Sequence, residues 1–83
     1  MGRDRVYEVI DSERAYQIYR WGADHDRREP VTSFLVYMQD YLTIALHQAT
    51  HDEKTALMDT IRKITALGVA CMEQNDTTRR TGF

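Results

Sequence analysis

The stretch "VTSFLVYMQDYLTIALHQA", residues 31 to 49, decides how this chain is read. Val31, Phe34, Leu35, Met38, Leu42, Ala45 and Ala49 recur at spacings of three and four, the period of one face of an α-helix. Pro30 stands just before it, and Thr32 or Ser33 is placed near the cap. Beside this stripe runs a second apolar line, Tyr37, Tyr41 and Ile44, and among these residues stands a single acid, Asp40.

Working outward, the same period predicts two further helices. One runs from about Arg5 to Trp21, capped by Asp4 and ended by Gly22, with Val6, Val9, Ile10, Tyr16 and Ile18 on its apolar side. The other begins near Thr50, where "THDE" resembles a capping box from Thr50 to Glu53, and runs to about Gln74. Leu57, Ile61, Ile64, Gly68, Cys71 and Met72 are its expected inward face, leaving Met58, Leu67, Val69 and Ala70 outside it. The tail from about residue 75, "NDTTRRTGF", is polar and reads as frayed. The expected fold is therefore all-α, a three-helix unit with a long antiparallel helical hairpin. Helices that are apolar on more than one side need more than one neighbour. In a chain this short the neighbour is a second copy, so a homo-oligomeric helical bundle is expected.

Eighty-three residues make one domain, 1–83, with no room for a second core. A chain of this length buries only about 60–65% of its unfolded surface, which leaves its stability marginal without a partner. With one cysteine, Cys71, no intramolecular disulfide forms, and no Cys/His zinc cluster is present. Cys71 lies among Leu67, Gly68 and Met72 and reads as core. A reducing, cytoplasmic setting is expected, with no signal segment, no membrane span, and no myristoylation signal at Gly2 because position 6 is Val. The net charge of −2, spread without a long block, argues against binding duplex nucleic acid by charge. It leaves open a small phosphorylated ligand held by two or three arginines.

Several constellations carry possible chemistry. Asp40 and Asp59 fall at nearly the same height on either side of a turn near residue 50. Two carboxylates at one level can hold Mg²⁺ with substrate phosphates; otherwise both are solvated surface groups. Arg62 and Lys63 lie one turn beyond Asp59, near the height of Tyr37, where a cation can meet a phosphate and a tyrosine can stack on a base. The competing reading of Arg62 is a salt bridge to an acid such as Asp40 or Asp59, or simple solvation. Glu13 and Gln17, one turn apart on the first helix, either reach a groove between the other two or bond to a neighbouring helix. Trp21 is a packing anchor or a stacking platform. In "WGADHDRREP", His25 and its flanking acids could ligate a metal and Arg27 and Arg28 could meet phosphates, or the run is a solvated connection. His47 and His51, at i and i+4, either share a metal or are solvated. No Gly-rich phosphate loop, nucleophile elbow or H-E-x-x-H helix occurs.

The order of "ERAYQIYRWG" (13–22), "YMQDYLTIAL" (37–46) and "IRKITALGVACMEQ" (61–74) resembles short, phage-type MazG-like proteins of the all-α nucleoside triphosphate pyrophosphohydrolase superfamily. The likeness covers roughly residues 6 to 75 and rests on pattern and order. In that family an E-x-x-E motif on one helix and E-x-x-D on the next bind Mg²⁺ and cleave between the α- and β-phosphates. Laid on this chain, the first motif falls on Asp40 and Thr43, or on Gln39 and Leu42, and the second on Asp59 and Arg62. One acid remains in each pair, and Arg62 stands where a carboxylate would face the metal. The resemblance thus implies a nucleotide-shaped groove. The departures turn the expectation toward a nucleotide or cyclic nucleotide bound without turnover, as by a phage sponge that sequesters a host immune-signalling nucleotide. Tyr37, Tyr41, Arg62 and Lys63 are its expected binding residues, with Glu13, Gln17 and Trp21 behind them. The alternatives are a weak Mg²⁺-dependent pyrophosphohydrolase that uses Asp40 and Asp59, and a phage protein-interaction inhibitor.

Overall fold

The computed structural model describes residues 1–21 and 29–83. The expectations placed on Gly22, His25, Arg27 and Arg28 lie outside the described residues. Three α-helices and no strand occur among those described: α1 (Arg3–Trp21), α2 (Val31–Thr50) and α3 (Lys54–Asn75). The third helix is the middle of the molecule. Both α1 and α2 pack on α3, and α1 and α2 do not pack on each other.

Local chemistry sets the helix ends, and here the sequence reading needs correction. The first helix begins at Arg3, so Asp4 sits inside its first turn, where a carboxylate favours the helix dipole, and does not cap it. The second starts behind Pro30, whose carbonyl accepts from the Ser33 N–H; no side chain caps it. The capping box at Thr50 does not form. Thr50 is still helical and its hydroxyl donates to the Leu46 carbonyl, while the Glu53 N–H donates to the Gln48 carbonyl. With the Asp52 N–H donating to the Ala49 carbonyl and Asp52 at φ 55°, this is a Schellman ending with an aspartate in the left-handed position. The last helix therefore begins at Lys54, four residues later than expected.

Packing also differs from the expected stripes. Phe34, Leu67 and Ala70 form the buried cluster, with Met38, Tyr41 and Cys71 packed against it. Leu67 and Ala70, placed outside the α3 stripe from sequence, are thus central to it. Val31, Leu35 and Leu42 of α2, and Ile61 and Met72 of α3, are exposed despite lying on the expected inward faces. The reason is angular. The α2–α3 contact follows the line Phe34, Met38, Tyr41, Ala45 and Gln48, rotated away from the centre of the α2 stripe. Gln48 joins this line because its Oε1 accepts from the buried Thr60 hydroxyl at 2.7 Å. Tyr16 and Ile18 of α1 are exposed too, and the buried residues of α1 are Glu13 and Gln17. Among the described residues no helix is long and apolar enough to cross a membrane.

Candidate functional site

The α1–α3 contact is polar at its centre. Glu13 and Gln17 are only 8% and 5% exposed. A carboxylate withdrawn from water requires a partner, and Arg62 supplies it. Arg62 Nε donates to Glu13 Oε1 at 2.6 Å, and Nη1 donates to Asp59 Oδ1 at 2.8 Å. The bond to Glu13 is the main cause raising the Arg62 pKa above its already high ordinary value, so the guanidinium stays charged between two carboxylates. A second tie joins the same helices, Arg14 Nη2 to Glu73 Oε2 at 2.8 Å. Gln17 Nε2 donates to the Lys63 carbonyl at 3.4 Å, while its Oε1 is buried with no hydrogen-bond partner.

Beside these residues a cleft of about 290 Å³ opens between α1 and α3, with Tyr41 of α2 as a further wall. Its lining brings together Glu13, Gln17, Trp21, Tyr41 and Lys63, five of the seven residues expected from sequence to hold a nucleotide. Tyr16, Arg20 and Leu67 complete it. The Lys63 ammonium lies 5.9 Å above the Tyr41 ring, within cation–π range. Among the described residues neither Arg20 nor Lys63 is in an ion pair, whereas Arg5, Arg14 and Arg62 all are. The cleft therefore offers aromatic faces and two cations with no neutralising carboxylate of their own.

The other two expected residues stand next door. Arg62 lines a groove of about 530 Å³ with Arg5, Glu8, Val9 and Ser12, which shares Glu13 and Tyr16 with the cleft. Tyr37 lines a groove of about 320 Å³ with Asp40 and Ile44 on the far side of Tyr41. The two acids proposed for Mg²⁺ have different settings: Asp40 is in the Tyr37 groove, and Asp59 is held by Arg62. Among the described residues no group of three or more His, Cys, Asp or Glu is arranged for a metal ion. A divalent ion at Asp59 would meet the Arg62 charge directly. His47 and His51 stack, ring centroids 4.0 Å apart, with His51 Nδ1 2.8 Å from the His47 carbonyl at the end of α2. Cys71 packs against the Phe34 cluster.

Arg20 and Tyr16 are the site residues that sequence reasoning missed. The signal was present. Arg20 follows Gln17 by three and Glu13 by seven, so it shares their face of α1. Its place at a helix end beside a charged loop concealed it among solvated cations. Compared with protein-family models, with curated proteins and with solved structures, the chain matches none.

Proposed function

We propose that this chain binds a nucleotide or cyclic nucleotide in the α1–α3 cleft and does not turn it over. What carries the reading is the pairing, in one cleft, of the Trp21, Tyr16 and Tyr41 rings with Arg20 and Lys63, two cations that are in no ion pair among the described residues. An aromatic face takes a base in a sequence-tolerant stack, and a cation without an internal partner takes a phosphate. A volume of about 290 Å³ is at the small end of ligand pockets and suits a base with its sugar, phosphates extending toward the cations at the mouth. The orphan Gln17 Oε1 is an acceptor for a ligand N–H or O–H after a small side-chain movement. The reading also takes α2 and α3 as an antiparallel hairpin. Its support is the three-residue link 51–53 and the Gln48–Thr60 bond near the turn, with Phe34 meeting Leu67 and Ala70 far from it. A binder of this kind without catalysis acts as a sponge, lowering the free concentration of its nucleotide.

The test is equilibrium dialysis of the full chain with Mg²⁺ and a panel of mononucleotides, nucleoside triphosphates and cyclic dinucleotides. The retained nucleotide is then chromatographed after heat denaturation. Retention of at least one nucleotide, recovered intact, is expected. Recovery of monophosphate and pyrophosphate would instead establish the pyrophosphohydrolase, working through Asp40 and Asp59. Neither retention nor cleavage would leave the inhibitor reading, in which an exposed apolar face engages a host protein.

A further inference from the structure

Two residues of the cleft, Glu13 and Gln17, stand one turn apart on α1, and both are buried. Each leaves a hydrogen-bond acceptor unused. The orientation of the Gln17 amide is fixed, because only its Nε2 can donate to the Lys63 carbonyl. That leaves Oε1 buried with no partner. On Glu13, Arg62 Nε reaches Oε1, and among the described residues no donor meets Oε2. Arg62 also serves Asp59, so one guanidinium is divided between two carboxylates and a negative charge remains. This side of the cleft therefore presents a carboxylate and then a carboxamide oxygen, an edge that accepts. The cations Arg20 and Lys63 and the aromatic rings do not tell one base from another, since phosphates are common to all nucleotides and every base has a face to stack.

Resting on the nucleotide reading of the cleft, we infer that Glu13 and Gln17 select the base, and that the base is guanine. Guanine carries two donors side by side on one edge, N1–H and the N2 amino group. The Glu13 carboxylate accepts from N1–H and from one N2 hydrogen, and Gln17 Oε1 accepts the other N2 hydrogen. Each carboxylate oxygen has two lone pairs, so the bond from Arg62 is kept. Adenine and cytosine set their amino donor beside a bare ring nitrogen, whose lone pair would face the carboxylate. Uracil flanks its one N–H with two carbonyl oxygens. An acceptor set against a buried acceptor leaves both unpaired, which is how a polar site rejects a close analogue.

Equilibrium dialysis of the full chain against the 5′-mono- and triphosphates of guanosine, inosine, adenosine, cytidine and uridine tests it, because each series differs only in the base. The guanosine compound is expected to bind about tenfold or more tighter than the adenosine, cytidine and uridine compounds. Inosine keeps N1–H and lacks the N2 amino group, so it is expected to bind about tenfold more weakly than guanosine. In Gln17→Met the guanosine and inosine compounds are expected to come within about threefold of each other. The base series needs no variant, and it decides alone where Gln17→Met does not fold. An adenosine, cytidine, uridine or inosine compound held as tightly as its guanosine counterpart overturns the inference and leaves nucleotide binding standing. So does a folded Gln17→Met that keeps the full preference for guanosine over inosine. Retention of none of these compounds overturns the nucleotide reading itself, and the inference falls with it.

Discussion

At the scale of single residues, the centre of the α1–α3 contact is Glu13, and its burial is tolerable only because Arg62 meets it at 2.6 Å. Glu13→Gln keeps the shape and removes the charge, and is expected to destabilise the protein by about 1–3 kcal/mol in a urea titration. Arg62 itself contributes no pH dependence near neutrality. Its pKa is raised in the folded protein, so the stability it adds is fully present below its unfolded value and is lost only as pH climbs through the folded one. Gln17 is expected to behave in the opposite way. Its Oε1 is buried without a partner, so Gln17→Met should leave stability unchanged or raise it by up to about 1 kcal/mol. The same variant should weaken nucleotide binding if the ligand supplies the missing donor. For the cations, Arg20→Ala and Lys63→Ala should each reduce nucleotide affinity about tenfold or more, measured by calorimetry. Arg5→Ala, whose charge is already paired with Glu8 at the surface, should change affinity little. Much of this site was legible in the sequence, because Glu13, Gln17 and Trp21 share one helix face. So was the Arg62 salt bridge to Asp59, one of the readings of that cation, but its tie to Glu13 was not. Residue type alone does not say whether a cation is neutralised by a buried acid 49 positions away.

At the scale of elements, α2 and α3 were legible because each carries a 3.6-residue apolar period, whereas α1 has a weak apolar stripe and was legible as a run free of Gly and Pro, its buried residues being Glu13 and Gln17. Their ends were less so, since a terminus is decided by competition among local hydrogen bonds. Thr50 could have capped α3, but its hydroxyl bonds back to Leu46 and the Glu53 N–H goes to Gln48. The consequence is an aspartate at φ 55° in a position that glycine fills without strain. Asp52→Gly is expected to raise stability by about 0.5–1 kcal/mol, and Asp52→Val to lower it by at least about 1 kcal/mol, both read from thermal melts. The stripes of α2 and α3 are interior only in part: Phe34 and Ala45 are buried and Met38 and Cys71 pack against the core, whereas Val31, Leu35, Leu42, Ile61 and Met72 are exposed. A period identifies a face, and what covers that face is set by the partner helix. Here Phe34, Met38 and Tyr41 meet α3, while Leu35 and Leu42, on the outer half of the stripe, are exposed.

At the scale of the whole molecule, α3 is a shared spine with two unlike sides. Toward α1 it presents Arg62, Lys63 and Glu73 to a contact built on ion pairs, and the cleft opens beside them. Toward α2 it presents Leu67, Ala70 and Cys71, and that apolar surface runs on past the seam uncovered. The extended form of the protomer agrees, with a radius of gyration of 13.9 Å against about 12 Å for a compact chain of this length. The cleft of the proposed binding and the exposed apolar surface thus lie at opposite edges of one helix pair. Neither property could be read from composition, since each depends on which edge of α3 each helix occupies. The cleft is the centre of the proposed function. Native mass spectrometry of the purified chain, incubated with Mg²⁺ and a nucleotide panel, measures its occupancy. The expected spectrum shows one intact nucleotide per protomer, lost in Arg20→Ala/Lys63→Ala. A wild-type spectrum free of nucleotide at millimolar ligand, or one in which the double variant is loaded equally well, would contradict it.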